Sequence, residues 1–198
     1  VREVNARLEP FLKENKYRNF LSTEIRIPEN SLPHLIDVTN RPPIPSSAIQ
    51  IANYKNRADI FWHGANGENV PVETHARFGA EAMIYSDWAH KHPMIVQVPE
   101  DVQQYVNLFN SVNLGKETEV VMPHMQDVAV IGDEIGSVIG LGDTLEEAIQ
   151  ECKDHAEGIQ GMGLYVKADS LESLLPQIKE AQDKGIKFSD EPVPEVVK

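Results

Sequence analysis

The alternation of apolar and polar residues between Tyr17 and Arg41 constrains this chain more than any other feature. The stretch YRNFLSTEIRIPENSLPHLIDVTNR reads as two short strands joined by a Pro/Asn/Ser turn. Successive strand residues point to opposite faces. Phe20, Ser22, Glu24 and Arg26 therefore share one side of the first strand, and Leu21, Thr23, Ile25 and Ile27 the other. On the second strand Leu35, Asp37, Thr39 and Arg41 share a side, opposite Ile36, Val38 and Asn40. Pairing the strands with their apolar faces together puts Glu24 and Asp37 on one polar face, near each other. Two carboxylates on rigid strands beside an arginine suit a hard divalent cation and a phosphate. Magnesium takes one or two carboxylates plus substrate phosphates, and arginine forks onto phosphate oxygens. An ordinary surface hairpin with a polar outer face is the plainer alternative.

Charge narrows the partners. The 31 acidic residues outnumber the 18 basic ones, for a formal net charge of −13. That excludes nonspecific nucleic-acid binding, which needs a basic surface, and disfavours an anionic membrane. No apolar run approaches a membrane span, and no signal peptide is visible. The single cysteine, Cys152, permits no disulfide within the chain, and a cytoplasmic location is expected. A hydrophobic fraction of 41% is enough to build a core.

Before the hairpin, Val4, Leu8, Phe11 and Leu12 fall at helical spacing within a helix expected over Val1–Asn15. Nothing ahead of that helix supplies a complete domain, so the chain reads as a fragment or as one truncated at its N-terminus. After Arg41 a proline-rich turn ends the strand. Ser46 or Ser47 can cap a helix over Ala48–Asn56. Strands are expected at Ala58–His63 and Asn69–His75 across a GANGEN turn, then at Ala80–Trp88. MIVQVPE alternates from Met94, and Glu100-Asp101 opens a helix carrying Val102, Tyr105, Val106 and Phe109. Strands at Thr118–Met122, Asp127–Ile131 and Ile135–Leu141 precede Gly142. Thr144 then caps a helix, with Glu147 completing a capping box and Leu145, Ala148, Ile149, Cys152 and Ala156 as its buried stripe. The last helix runs over Ser170–Lys184, interrupted by Pro176 and stopped by Gly185.

The histidines are uninformative. His90 and His92 form the one close pair, but no third ligand stands at zinc-site spacing. His63 and His75 could meet across their hairpin, and His34, His124 and His155 follow no pattern. Gly136, Gly140 and Gly142 fit neither a dinucleotide fingerprint nor a phosphate loop, so a capped structural turn is the reading there.

The first block resembles the C-terminal half of an ATP-grasp domain. In that superfamily a helix leads through a YRG-x-x-T-x-E strand to a hairpin and then an E-x-N-x-R strand. Tyr17-Arg18-Asn19 stands at the entry here and Glu24 at the first acid. Asp37 and Arg41 match the second acid and the arginine, with Thr39 at the asparagine position and Asn40 one residue late. Either a bulge turns Asn40 inward or threonine replaces the amide. Glu73-Thr-His75-Ala-Arg77-Phe78-Gly79 repeats the spacing and is a competing site strand, with His75 at the asparagine position. Its plain alternative is a surface hairpin with an Arg–Glu pair. Glu134–Gln160 resembles the G-x-V-x-x-x-G-x-T-x-E-E-A block that closes phosphoribosylamine–glycine ligase and biotin-carboxylase-like members.

The resemblance implies an α/β fold of the α+β type. Residues 1–57 would be an ATP-grasp C-terminal half with antiparallel strands, 58–189 a small mixed subdomain, and 190–198 a disordered acidic tail. It implies a fragment of an ATP-dependent carboxylate–amine ligase working through an acylphosphate, as in purine biosynthesis. Glu24, Asp37 and Asn40 would hold Mg2+ or Mn2+. Asn40 and Arg41 would contact ATP, and Arg41 would steady the transferring phosphoryl group. Partners would be ATP, a small carboxylate and amine, and a missing N-terminal part with the glycine-rich lid and ATP-clamping lysines. Alone, the chain would lack ligase activity. The alternative is a catalytically silent ATP-grasp-like interaction module.

Overall fold

The computed structural model describes residues 2–28, 33–43, 46–89, 91–123 and 133–185. The chain forms two compact units, residues 1–47 with 54–74 and residues 48–53 with 75–198.

In the first unit, α1 (Arg2–Glu14) forms as the apolar spacing requires. Val4 is buried and Leu8 and Leu12 are half-buried, but Phe11 points to solvent. β1 (Ser22–Arg26) and β2 (His34–Thr39) pair antiparallel as the expected hairpin. α2 (Ser47–Asn53) follows and, from Ala48 on, belongs to the second unit. The expected Ala58–His63 strand is instead part of a helix, α3 (Arg57–Asn66). The GANGEN turn is that helix's end: Gly67 takes φ 81°, and its N–H and that of Glu68 return to Gly64 and His63 carbonyls. His63 pairs with Glu68 at 2.6 Å, not with His75. Between Asn69 and His75 only Thr74 makes a β-bridge, to Tyr54.

The second unit holds the main core. β3 (Phe78–Ser86) and β8 (Glu134–Gly142) pair along their length, flanked by β5 (Val106–Leu108) and β10 (Leu164–Val166), in the order β10-β3-β8-β5. A second sheet has the order β6-β7-β4-β9, from β4 (Met94–Gln97), β6 (Ser111–Gly115), β7 (Thr118–Val121) and β9 (Gln160–Gly161). Period two is visible in β3, where Ala80, Ala82, Ile84 and Ser86 are buried and the residues between them are half-buried. α4 (Leu145–Glu157) packs on that face with Ala148, Ile149 and Cys152 buried. Thr144 and Glu147 form the expected capping box, each side chain accepting the other's backbone N–H. Burial pushes the Cys152 thiol up to about 12, so it packs as an inert apolar group.

Two expected helices change form. Residues after Glu100 make a single 3-10 turn, Gln103–Tyr105, and then β5. Val106, Asn107 and Leu108 lie opposite Val138, Ser137 and Gly136, and that ladder outcompetes local helix spacing. The last helix, α5 (Leu174–Asp183), begins after a 3-10 segment, Ala168–Ser173. Pro176 thus sits in its first turn, where a missing N–H costs nothing, and Gly185 at φ 87° follows the end. The strand expected at Asp127–Ile131, His124, His90 and the tail from Asp190 lie outside the described residues. Among the described residues no helix is long and apolar enough to cross a membrane.

Candidate functional site

The hairpin ladder brings the two acids together. Glu24 lies directly opposite Asp37, and Ser22 opposite Thr39. Ser22 Oγ and Thr39 Oγ1 are 2.6 Å apart, which fixes both hydroxyls on one face. Period two then carries Glu24 and Asp37 onto that same face. β1 is held at its base by the Asn19 amide, which donates to the Asn40 carbonyl at 2.8 Å, and by Ser22 Oγ, which donates to the Arg41 carbonyl at 3.1 Å. The acids therefore sit on a doubly anchored ribbon.

One irregularity shifts the expected faces. Register slips between Glu24 and Ile25, where Ile36 is the extra residue on β2 and Leu35 pairs with Ile25. Such a bulge kinks the bulged strand. It moves Leu35 away from the Asp37 side assigned by strict alternation and sets it opposite an apolar residue. The ladder is regular from Asp37 to Thr39, so no bulge turns the chain at Asn40, and β2 ends at Thr39. Thr39 stands with Asp37.

Arg41 Nη1 donates to the Pro42 carbonyl at 3.1 Å. Glu24 Oε1 accepts from Arg26 Nη2 at 2.7 Å. Sequence reasoning put Arg26 on the Glu24 face but gave it no role; its i, i+2 spacing on a strand was the available signal. Among the described residues no three His, Cys, Asp or Glu side chains converge as a metal cluster. At the hairpin the facing acidic pair is Glu24 and Asp37.

The competing strand loses its setting. With α3 in place of a strand, Glu73 is in irregular chain: its N–H goes to Asn56 Oδ1 at 3.0 Å and its carbonyl to the Lys55 N–H at 2.8 Å. Arg77 lies over the Phe78 ring, 5.3 Å from its centroid. His92 stacks on Trp88 with ring centroids 4.3 Å apart. A cleft of about 520 Å³ beside α1, lined by residues including Glu9, Lys13, Tyr17 and Arg18, includes none of Glu24, Asp37, Asn40 or Arg41.

Glu81, on β3, is a half-buried carboxyl away from the hairpin. Burial on β3 raises it above the ordinary carboxylate range, opposed by the Ser137 hydroxyl and the Ile49 N–H. Glu81 Oε2 and Ser137 Oγ are nevertheless buried without a well-formed hydrogen bond. A carboxyl raised in the folded state contributes fully below its unfolded value, and that contribution is lost as pH rises through the folded value. Glu81→Gln should therefore raise the urea midpoint of the second unit at pH 7 and leave it unchanged at pH 4. Equal midpoints at pH 7 would show that the ionised group is well solvated.

No protein-family profile matches the chain, and no curated protein matches it in sequence. Its fold does have counterparts. It aligns with the crystal structure of phosphoribosylamine–glycine ligase from Thermotoga maritima at a TM-score of 0.56 and 17% identity, over 75% of this chain and 36% of that one. The chain shares the fold of part of that ligase, an ATP-grasp-like fold. A second alignment, at TM-score 0.55 and 16% identity, is with K. lactis urea amidolyase and covers 91% of this chain and 11% of that one. The chain thus spans about a third of the ligase and about a tenth of the amidolyase. Antiparallel sheets and mixed α/β composition agree with that likeness of fold.

Proposed function

We propose that this chain is the metal-binding portion of an ATP-grasp carboxylate–amine ligase. The reading rests chiefly on one observation, the placement of Glu24 opposite Asp37 on an anchored hairpin within an ATP-grasp-like fold. Glu24 and Asp37 would hold Mg2+ or Mn2+, with Thr39 Oγ1 beside them on that face and Asn40 following. A divalent ion held there neutralises phosphate charge. Among the described residues Arg41 bonds a neighbouring carbonyl, and its guanidinium would turn to steady the transferring phosphoryl group by charge and position. The reaction class is activation of a carboxylate by ATP, followed by attack of an amine.

Exposed apolar residues support a larger assembly. Ile27, Leu35, Ile36 and Val38 of the hairpin region are 56%, 39%, 57% and 43% exposed. Apolar clusters of this kind mark surfaces that pack against another polypeptide. We place there the nucleotide-clamping part of the same ligase. Alone, the chain should bind ATP weakly and form no product.

The test is Mn2+ binding followed by electron paramagnetic resonance. Glu24→Gln combined with Asp37→Asn should weaken binding at least about tenfold, since it removes both charged ligands. Unchanged Mn2+ binding would remove the hairpin from the metal site. Absence of Mn2+ binding in both proteins would leave the interaction-module reading.

A further inference from the structure

We propose that Arg26 is a built-in competitor of the metal, which makes the hairpin discriminate a metal–nucleotide complex from the bare ion. The inference rests on the metal-site reading above. Arg26 Nη2 lies 2.7 Å from Glu24 Oε1, two residues along the same strand and on the same face. Both side chains are substantially exposed, at 73% and 49%. An exposed pair of this kind is weak and exchanges readily. It is strong enough to occupy Glu24 when no ligand is present and weak enough to be displaced.

Electrostatics sets the direction. Two residues of strand span roughly 6.6 Å, which sets the scale of separation for a guanidinium expelled from Glu24 but kept on the same face as a bound dication. A unit positive charge at that range in a water-like dielectric weakens dication binding by about tenfold at low salt. Screening reduces this to about threefold at 0.15 M ionic strength. Bare metal must expel the guanidinium and then tolerate it nearby. A metal–nucleotide complex arrives with phosphate oxygens, onto which the released guanidinium can fork. The same side chain thus opposes one ligand and favours the other.

This opposition gives the test a signature that a merely structural arginine would not produce. Arg26→Ala should bind Mn2+ alone about three- to tenfold tighter by electron paramagnetic resonance. It should bind the complex of Mn2+ with a nonhydrolysable ATP analogue more weakly by calorimetry. Arg26→Lys keeps the charge without the fork, so its Mn2+ affinity should stay near the parent's while its affinity for the complex falls. In a Glu24→Gln background, which removes the ion pair but keeps the arginine charge nearby, Arg26→Ala should retain only the through-space part of its effect on bare Mn2+. Arg26 is exposed, and circular dichroism of each variant checks that the fold is kept. Parent-like or weaker Mn2+ binding in Arg26→Ala, with the parent binding Mn2+, overturns the competitor role while leaving the hairpin site standing. No Mn2+ binding in either protein overturns both.

Discussion

Gly140→Ala should destabilise the second unit by at least about 3 kcal/mol, enough to abolish its cooperative unfolding transition at moderate urea. Gly140 lies in β8 opposite Ala80, on the face that α4 covers. A Cβ there would come 2.2 Å from the Ala148 carbonyl oxygen and 2.2 Å from the Cys152 backbone nitrogen. Both obstacles are backbone of the packed helix, so no rotamer change relieves the clash. The helix would have to lift, exposing Ala148, Ile149 and Cys152, all buried against the core. The check is a urea titration followed by circular dichroism. Gly115→Ala is no matched control, because Gly115 has φ 83°. Gly64, in α3 of the first unit with open space around its Cβ position, is the contrasting site, and Gly64→Ala should be neutral or stabilising by up to about 1 kcal/mol, because it replaces glycine within a helix. A Gly140→Ala midpoint within experimental error of the parent's would contradict the close packing of α4 on β8.

Ser86→Ala should cost about 2–3 kcal/mol, because one buried hydroxyl organises the turn after β3. Ser86 is fully buried. Its Oγ donates to the Met162 carbonyl at 3.0 Å and accepts the N–H groups of Trp88 and Ala89, both at 3.2 Å. Alanine keeps the packing and removes all three partners at once. Ser86→Thr tests whether the loss is the hydroxyl or its surroundings, since it keeps the oxygen and adds a methyl. Alongside lower stability, hydrogen exchange at Trp88 and Ala89 should accelerate in Ser86→Ala. Unchanged exchange at both amides would show that the hydroxyl does not hold the turn.

Features with short-range causes were legible in the sequence. The Glu24/Asp37 pairing follows from period two plus a turn, and the α4 capping box from residues three apart. The C-terminal stop at Gly185 is equally local. Features set by distant partners were not. β5 is three residues long and exists because β8 offers it a ladder, so local spacing favoured a helix there. In α3, Ile60, Phe61 and Trp62 are contiguous, and no residue of the helix is buried. Neither a two- nor a 3.6-residue period stands out in such a segment, and the glycine that caps it read as a hairpin turn. The bulge at Ile36 left no signature either, because Leu35, Ile36 and Val38 are all apolar. At the hairpin, the facing of Glu24 and Asp37 was read from alternation. Arg26 was placed on the correct face, but its ion pair needs side-chain geometry that alternation alone does not supply.

The most direct test of the metal-binding hairpin is paramagnetic broadening of backbone amide signals by substoichiometric Mn2+ in the 15N-labelled chain. The account predicts that signals of Ser22–Arg26 and Asp37–Thr39 broaden first, and that Glu24→Gln with Asp37→Asn removes the effect. Broadening centred elsewhere, with the hairpin signals intact, would contradict it.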